Sequence, residues 1–343
     1  MKMLMTMGWL LASFTITVLL VRSAIGYARR RGMLDLPGQR RSHQVPTPRG
    51  GGVGIVVAML VCLPGAGWSL RAAWPPPGLL GLLCAALLLV ALAGWWDDHR
   101  PLPVLPRLGA QLLATALFCL GLDAGALAWW WLPLLLVGGV WSINLHNFMD
   151  GIDGLLAQQA IFVGSGLAIL AWGSQQPLLA LGAACLAASS FGFWCFNRPP
   201  ARIFLGDVGS GSVGLLIFAF SAMLWRVDQA LLWPVLILSS AFAVDAGLTL
   251  LARMWRGRRW YSAHREHLYQ WLARRGRSHA KVGAAYLGWN LLVAAPLAWL
   301  AWSHLQAAMA ITMVVYLIAA TTWLQLKRRL LRRHPSKAPH VTA

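Results

Sequence analysis

Acidic residues are what this chain has least of: 10 Asp and Glu in 343 residues, against 29 Lys and Arg. Charged side chains of either sign make up 11% of it and hydrophobic ones 58%, which excludes an ordinary water-soluble domain. Cysteine is scarce as well. Cys62, Cys84, Cys119, Cys185 and Cys195 all lie in apolar runs without paired spacing, so no disulfide framework and no zinc site is implied. The histidine spacings of zinc proteases are missing, and the stretch from Asp150 lacks the Glu that closes a calcium loop. No inverted repeat of the transporter kind is visible.

What is abundant is apolar length. Eleven runs, each about as long as a bilayer-spanning helix, fall at roughly 4–27, 50–70, 78–96, 107–122, 127–146, 154–172, 177–196, 209–225, 231–252, 282–302 and 306–326. They predict an all-α polytopic integral membrane protein, with one transmembrane domain over 1–326 and a basic tail over 327–343. The first run is an anchor and not a cleaved signal, because it is long and Arg29-Arg30-Arg31 follow it. With the amino terminus outside, the connections 28–49, 97–107, 197–208 and 253–281 and the tail 327–343 all face the cytoplasm. They carry 6, 2, 2, 9 and 6 of the 29 Lys and Arg. The net charge of +19 is therefore a topology signal, and its partner is the lipid bilayer, not nucleic acid.

The scarce acids gather on that inner side, in the segments 28–49, 97–107, 144–154, 197–210 and 253–281. The first holds Arg40, Arg41, His43 and Arg49 among prolines and glycines, donors suited to phosphate oxygens. The second holds Asp97-Asp98 at the end of an apolar run. Two adjacent carboxylates there are costly unless they face water, a cation or a proton to exchange. In the third, Asn144, Asn147, Asp150 and Asp153 recur every three residues, a spacing that smears over half a helix. The two Asp-Gly pairs predict a helix break there, tolerated at this depth where backbone lines a wet cavity.

The fourth segment reads Phe204-Leu-Gly206-Asp207-Val-Gly-Ser210, an acid at a helix start that suits an anion bridged by a divalent ion. The fifth contains His264-Arg265-Glu266-His267, with the two histidines expected on one helix face and Leu268, Trp271 and Leu272 resting that helix in the interface. Each pattern also has a plain structural reading: a topology-setting basic loop, a helix stop, a capped reversal, an Asp cap, a basic interfacial helix. Asp245, inside the ninth run, needs a partner that the sequence does not name.

Taken together these segments resemble the polyprenyl-phosphate N-acetylhexosamine-1-phosphate transferases. That superfamily includes the phospho-N-acetylmuramoyl-pentapeptide transferase and the bacterial enzymes that start O-antigen synthesis. The resemblance rests on Asp97-Asp98, Asn144 to Gly154, Phe204 to Ser210 and His264 to His267, in order. It implies attack by undecaprenyl phosphate on a UDP-N-acetylhexosamine with release of UMP, at the cytoplasmic face of a bacterial inner membrane. Mg2+ is the implied cofactor, with Mn2+ as the alternative ion. It further implies Asp207 as metal ligand and Asp97 and Asp98 as catalytic. Substrate-binding positions are His43, Arg49, Asn144, Asn147, Asp150, Asp153, Phe204 (stacked on uracil), His264, Arg265 and His267. A homodimer is compatible with it. The late loop departs from the consecutive histidines of the peptidoglycan enzyme, which favours the O-antigen branch and deoxy sugars such as N-acetylfucosamine or N-acetylquinovosamine. The rival reading is a transporter or lipid flippase with the inner acids as a cation site. It predicts acids at the membrane midplane, a place only Asp245 approaches.

Overall fold

A bilayer offers no water to backbone N–H and C=O groups, so each apolar run must satisfy them internally, as a helix. The computed structural model describes residues 2–35, 46–70, 74, 78–123, 128–258 and 264–332. In chain order come α1 (Lys2–Arg31), an antiparallel pair β1 (Leu34–Asp35) and β2 (Thr47–Pro48), α2 (Val53–Ser69), α3 (Leu79–His99) and α4 (Val104–Asp123). Then follow α5 (Trp131–Phe148), α6 (Leu155–Gly173), α7 (Pro177–Asn197), α8 (Asp207–Val227) and α9 (Leu232–Trp255). A short α10 (Leu268–Arg274) precedes α11 (His279–Trp289), a π-helical turn (Asn290–Ala294), α12 (Ala295–Ser303) and α13 (Ala308–Arg332).

The all-α expectation holds, and each of the eleven expected runs lies on helix. Among the described residues, nine helical stretches are long and apolar enough to cross a membrane. The remaining two are α2, a shorter apolar helix of 17 residues, and α5, of 18. A reporter fused after Gln325, inside α13, is expected on the cytoplasmic side; an external reporter there would put the number of crossings off by one.

The helix α8 is the most enclosed of the nine, packed between α3 and α5. Buried polar pairs pin its neighbours, where apolar contact with lipid and with protein differ little. The Ser142 hydroxyl of α5 donates to Gly214 O of α8 at 2.8 Å, and Ser13 of α1 donates to Cys185 O of α7 at 2.7 Å. In the π-helical turn, Asn290 Nδ2 donates to Gln159 Oε1 of α6 at 2.7 Å.

The partners that Asp245 needs are all supplied within the fold. Its carboxylate accepts from the backbone N–H groups of Leu268 (2.7 Å) and Tyr269 (3.4 Å), from Tyr286 Oη (2.7 Å) and from Trp323 Nε1 (2.9 Å). It therefore caps the start of α10 and ties α9 to α10, α11 and α13. The helix expected over His264 and His267 begins only after them, at Leu268. Leu268 is buried and Leu272 packs on the core, so α10 is seated on protein more than in the interface. The Tyr269 hydroxyl then donates to Phe148 O at the end of α5, a span of 2.8 Å that joins α10 to α5.

Candidate active site

The N-terminal end of α8 organises the site. The first amides of a helix have no partner within it and need an acceptor from elsewhere. Here the acceptor is Asp98, at the end of α3, which takes the N–H groups of Asp207 (3.1 Å) and Val208 (3.2 Å). Two glycines make this docking sterically feasible. Gly206 precedes α8 at φ +77, and a Cβ there would stand 2.5 Å from Asp98 Oδ2. Gly94, one turn before Asp98, lies so close to α8 that a Cβ would collide with the Asp207 carbonyl group. Gly94→Ala is therefore expected to push α3 off α8 and lower both thermal stability and activity, by about 1–3 kcal/mol in stability. An unchanged melting midpoint would contradict the close approach.

Asp207 itself accepts from Asn147 Nδ2 at 2.5 Å, and the same amide reaches Ser210 Oγ at 3.0 Å. Asn147 sits in the last turn of α5, which ends at Phe148; the expected break follows, over Met149–Gly154, before α6. In that break Asp153 accepts from Ala201 N–H at 3.1 Å, its other oxygen lies 3.1 Å from His279 Nδ1, and the N–H of Gly154 donates to Asn197 Oδ1 at 2.9 Å. Asp150 is buried in the same turn. Burial, and then the negative charge of Asp98, push its carboxyl up to about 7.

These groups surround one cavity of about 250 Å³. Of the residues expected at a site, Arg49, Asp98, Asn147, Asp150, Asp153, Phe204 and Asp207 line it. Gly206, from the Phe204–Ser210 pattern, joins them, as do Asp35 and His279, which no sequence pattern singles out. Asp97, one position before Asp98 and so about 100° round the helix, is not among the lining residues. It accepts from Leu102 N–H at 2.5 Å, pairs with Arg107 at 3.0 Å, and touches the Asp207 carboxyl from behind the cavity wall. Asn144 also faces away, bonded to Gln111 of α4 at 2.7 Å, and lies on intact α5 helix ahead of the break. His43 lies outside the described residues.

The late loop forms a second cluster beside this cavity. His264 and His267 have ring centroids 4.8 Å apart, and the His267 ring stacks at 6.1 Å on Phe148, two residues before Asp150. Burial pushes both imidazoles down, His264 to about 4, so they are neutral at physiological pH. Between them Glu266 is held by Arg253 and by Arg258 at 2.9 Å, which places it as a clamp, and Arg274 donates to the Arg265 carbonyl. The rings meet although they do not share a helix face.

Among the described residues no three His, Cys, Asp or Glu side chains converge as a metal cage. Asp150 and Asp207, which line the same cavity, are oxygen donors of the kind a hard divalent cation takes one or two of. Mg2+ takes one or two carboxylates and draws its other oxygens from phosphate and water, and Asp150 is a buried carboxylate short of positive charge.

Residues 79–225, from α3 through α8, match the sequence profile of Glycosyl transferase family 4. The chain is 31% identical to the phospho-N-acetylmuramoyl-pentapeptide-transferase of Moorella thermoacetica over 261 residues, 66% of this chain and 77% of that protein. It is 26% identical over 270 residues to the enzyme of that name in Lactiplantibacillus plantarum, 71% of this chain and 83% of the relative. The match to the Halalkalibacterium halodurans protein of the same name is 31% over 154 residues, less than half the length of either chain. The likeness to the Moorella protein runs through most of both chains, and the profile match spans the helices that build the cavity: the chain belongs to glycosyl transferase family 4, the superfamily of polyprenyl-phosphate N-acetylhexosamine-1-phosphate transferases.

Proposed function

We propose that the chain transfers an N-acetylhexosamine-1-phosphate from a UDP-sugar to undecaprenyl phosphate, at the cytoplasmic face of a bacterial inner membrane. The observation that carries this is the convergence of Arg49, Asp98, Asn147, Asp150, Phe204 and Asp207 on one cavity, where the C-terminal ends of α3 and α5 meet the N-terminal end of α8. An oxygen of the lipid phosphate attacks the β-phosphorus of the donor, the bond from that phosphorus to the bridging oxygen breaks, and UMP leaves with the electron pair. Such a transfer asks for positioning and charge neutralisation more than for covalent chemistry by the protein.

Each lining residue has a part in that. Asp207, with Asp150 lining the same cavity, would hold the divalent ion, Mg2+ or Mn2+, whose positive charge neutralises the diphosphate. Asn147 orients the Asp207 carboxylate through its 2.5 Å hydrogen bond. Asp98 is the carboxylate of the adjacent pair that lines the cavity, and it takes the acceptor's proton where one is present. Arg49 draws a phosphate oxygen, and Phe204 offers a face to uracil. His264, Arg265 and His267 meet the sugar phosphate from the side of Phe148.

The glycan started is O-antigen or a related envelope polymer. The support is the late loop: His264-Arg265-Glu266-His267 departs from a consecutive histidine run, and its Glu266 is engaged by Arg253 and Arg258. A muramoyl-pentapeptide donor is the second reading, favoured by the names of the relatives. The transporter reading loses its one intramembrane acid, since Asp245 is committed to capping α10 and to Tyr286 and Trp323.

UMP release by the purified chain, with undecaprenyl phosphate and Mg2+, decides among these across UDP derivatives of N-acetylfucosamine, N-acetylquinovosamine, N-acetylglucosamine and N-acetylmuramoyl-pentapeptide. The expected result is turnover with one of the three simple N-acetyl sugars. Turnover with the pentapeptide donor alone would overturn the branch, and no UMP from any donor would sink the enzyme reading.

A further inference from the structure

His279 lines the cavity and has no part in the transfer as assigned to the other residues. It opens α11, and its Nδ1 lies 3.1 Å from Asp153 Oδ1 and 3.4 Å from the Asp153 backbone nitrogen. The Asp153 backbone N–H donates to Nδ1, so the ring proton sits on Nε2. Asp153 cannot swing away easily, because its other oxygen accepts from Ala201 N–H at 3.1 Å. The remaining ring nitrogen, Nε2, has no hydrogen-bond partner among the described residues. A backbone amide on Nδ1 and an open Nε2–H beside a cavity make an imidazole held to donate to a ligand.

The charge inventory of the cavity says which ligand group. Among the described residues its lining contains five carboxylates, Asp35, Asp98, Asp150, Asp153 and Asp207, and a single arginine, Arg49. A nucleoside diphosphate adds further negative charge to that wall. One divalent ion offsets part of it, and Arg49 reaches in from the segment before α2. On the α11 side of the cavity His279 is the lining group able to donate to an anion.

We infer that His279 is a binding residue for the diphosphate of the nucleotide, donating from Nε2 to a phosphate oxygen, with Asp153 as the residue that positions the ring. The phosphate oxygen carries negative charge, so the bond formed is charge-assisted. This rests on the nucleotide-sugar reading and adds a donor contact to it.

The test compares binding of uridine, UMP and UDP to the detergent-purified full chain with Mg2+, by calorimetry. His279→Ala is expected to weaken UDP about ten- to a hundredfold, the size of one hydrogen bond to a charged group. Uridine should bind as to wild type, because it lacks the phosphates. His279→Gln, which keeps an N–H donor at similar reach, should recover part of the UDP affinity. Equal losses for uridine and UDP in both variants would make His279 a mere support for the Asp153 turn and overturn the inference. So would undiminished UDP binding in His279→Ala, with the transferase reading untouched. A wild-type chain that binds none of the three would sink the donor assignment, and the inference with it.

Discussion

Replacing Asp207 by Asn should lower UMP release by about 10²–10³-fold, on the scale of removing one electrostatic contact to a transferring group, while leaving the protein folded. The substitution is close to isosteric. Its carbonyl oxygen can still accept from Asn147, the contact that orients the side chain at 2.5 Å. The N-terminal amides of α8 do not depend on the Asp207 side chain, because Asp98 accepts them. What disappears is the negative charge, and with it the donor best placed for a divalent ion. Raising Mg2+ should recover some of the rate, since a weakened site is filled by mass action. The check is a UMP time course at several Mg2+ concentrations together with a melting curve. Normal turnover would remove Asp207 as the metal position, and a collapsed melting midpoint would make its role structural.

Asp207 is legible in the sequence because an acid is costly in an apolar chain and stands out against so few others. The same argument finds Asp98, Asp150 and Asp153, and the Gly-rich contexts of Asp150 and Asp207 mark where helix gives way to loop. The helices are legible for a similar reason, since apolar length has one solution in lipid. Direction is not legible. Asp97 and Asp98 are neighbours in sequence, and only the docking of α3 on α8 decides which lines the cavity and which meets Arg107. Asn144 shares the spacing of Asn147, yet one turn short of the break it meets Gln111 instead.

Long-range pairs leave no local trace at all. His279 is 126 positions from Asp153, and nothing near either predicts the contact. Asp245 has partners drawn from three later helices, so in sequence it can only register as an unexplained charge. The same holds for His264 and His267. Their separation reads as helical spacing, but the fold brings the rings together through the capped start of α10 and the stack on Phe148. Local signals carry the composition of the site, and tertiary packing carries its orientation.

That orientation yields the second large effect, a contrast between neighbours. Asp98→Asn should lose about 10²–10³-fold in turnover and also melt at a lower temperature. The carboxylate accepts two backbone N–H groups with its two oxygens; an amide offers one oxygen and presents an NH2 to the other donor. One first-turn amide of α8 is then left buried without a partner, at a cost of about 1–3 kcal/mol, and the favourable charge at the helix N-terminus goes with it. Asp97→Asn keeps an oxygen for the Leu102 N–H and turns its NH2 to Arg107, but that side chain is about one-third exposed and can turn to water, where the buried amides of α8 cannot. Its lost ion pair is worth at most about 1 kcal/mol, and turnover should fall no more than about tenfold. Measuring both variants side by side separates the two aspartates. If Asp97→Asn proved the more damaging, the proton-accepting carboxylate would be Asp97, and α3 would have to rotate on substrate binding to bring it round.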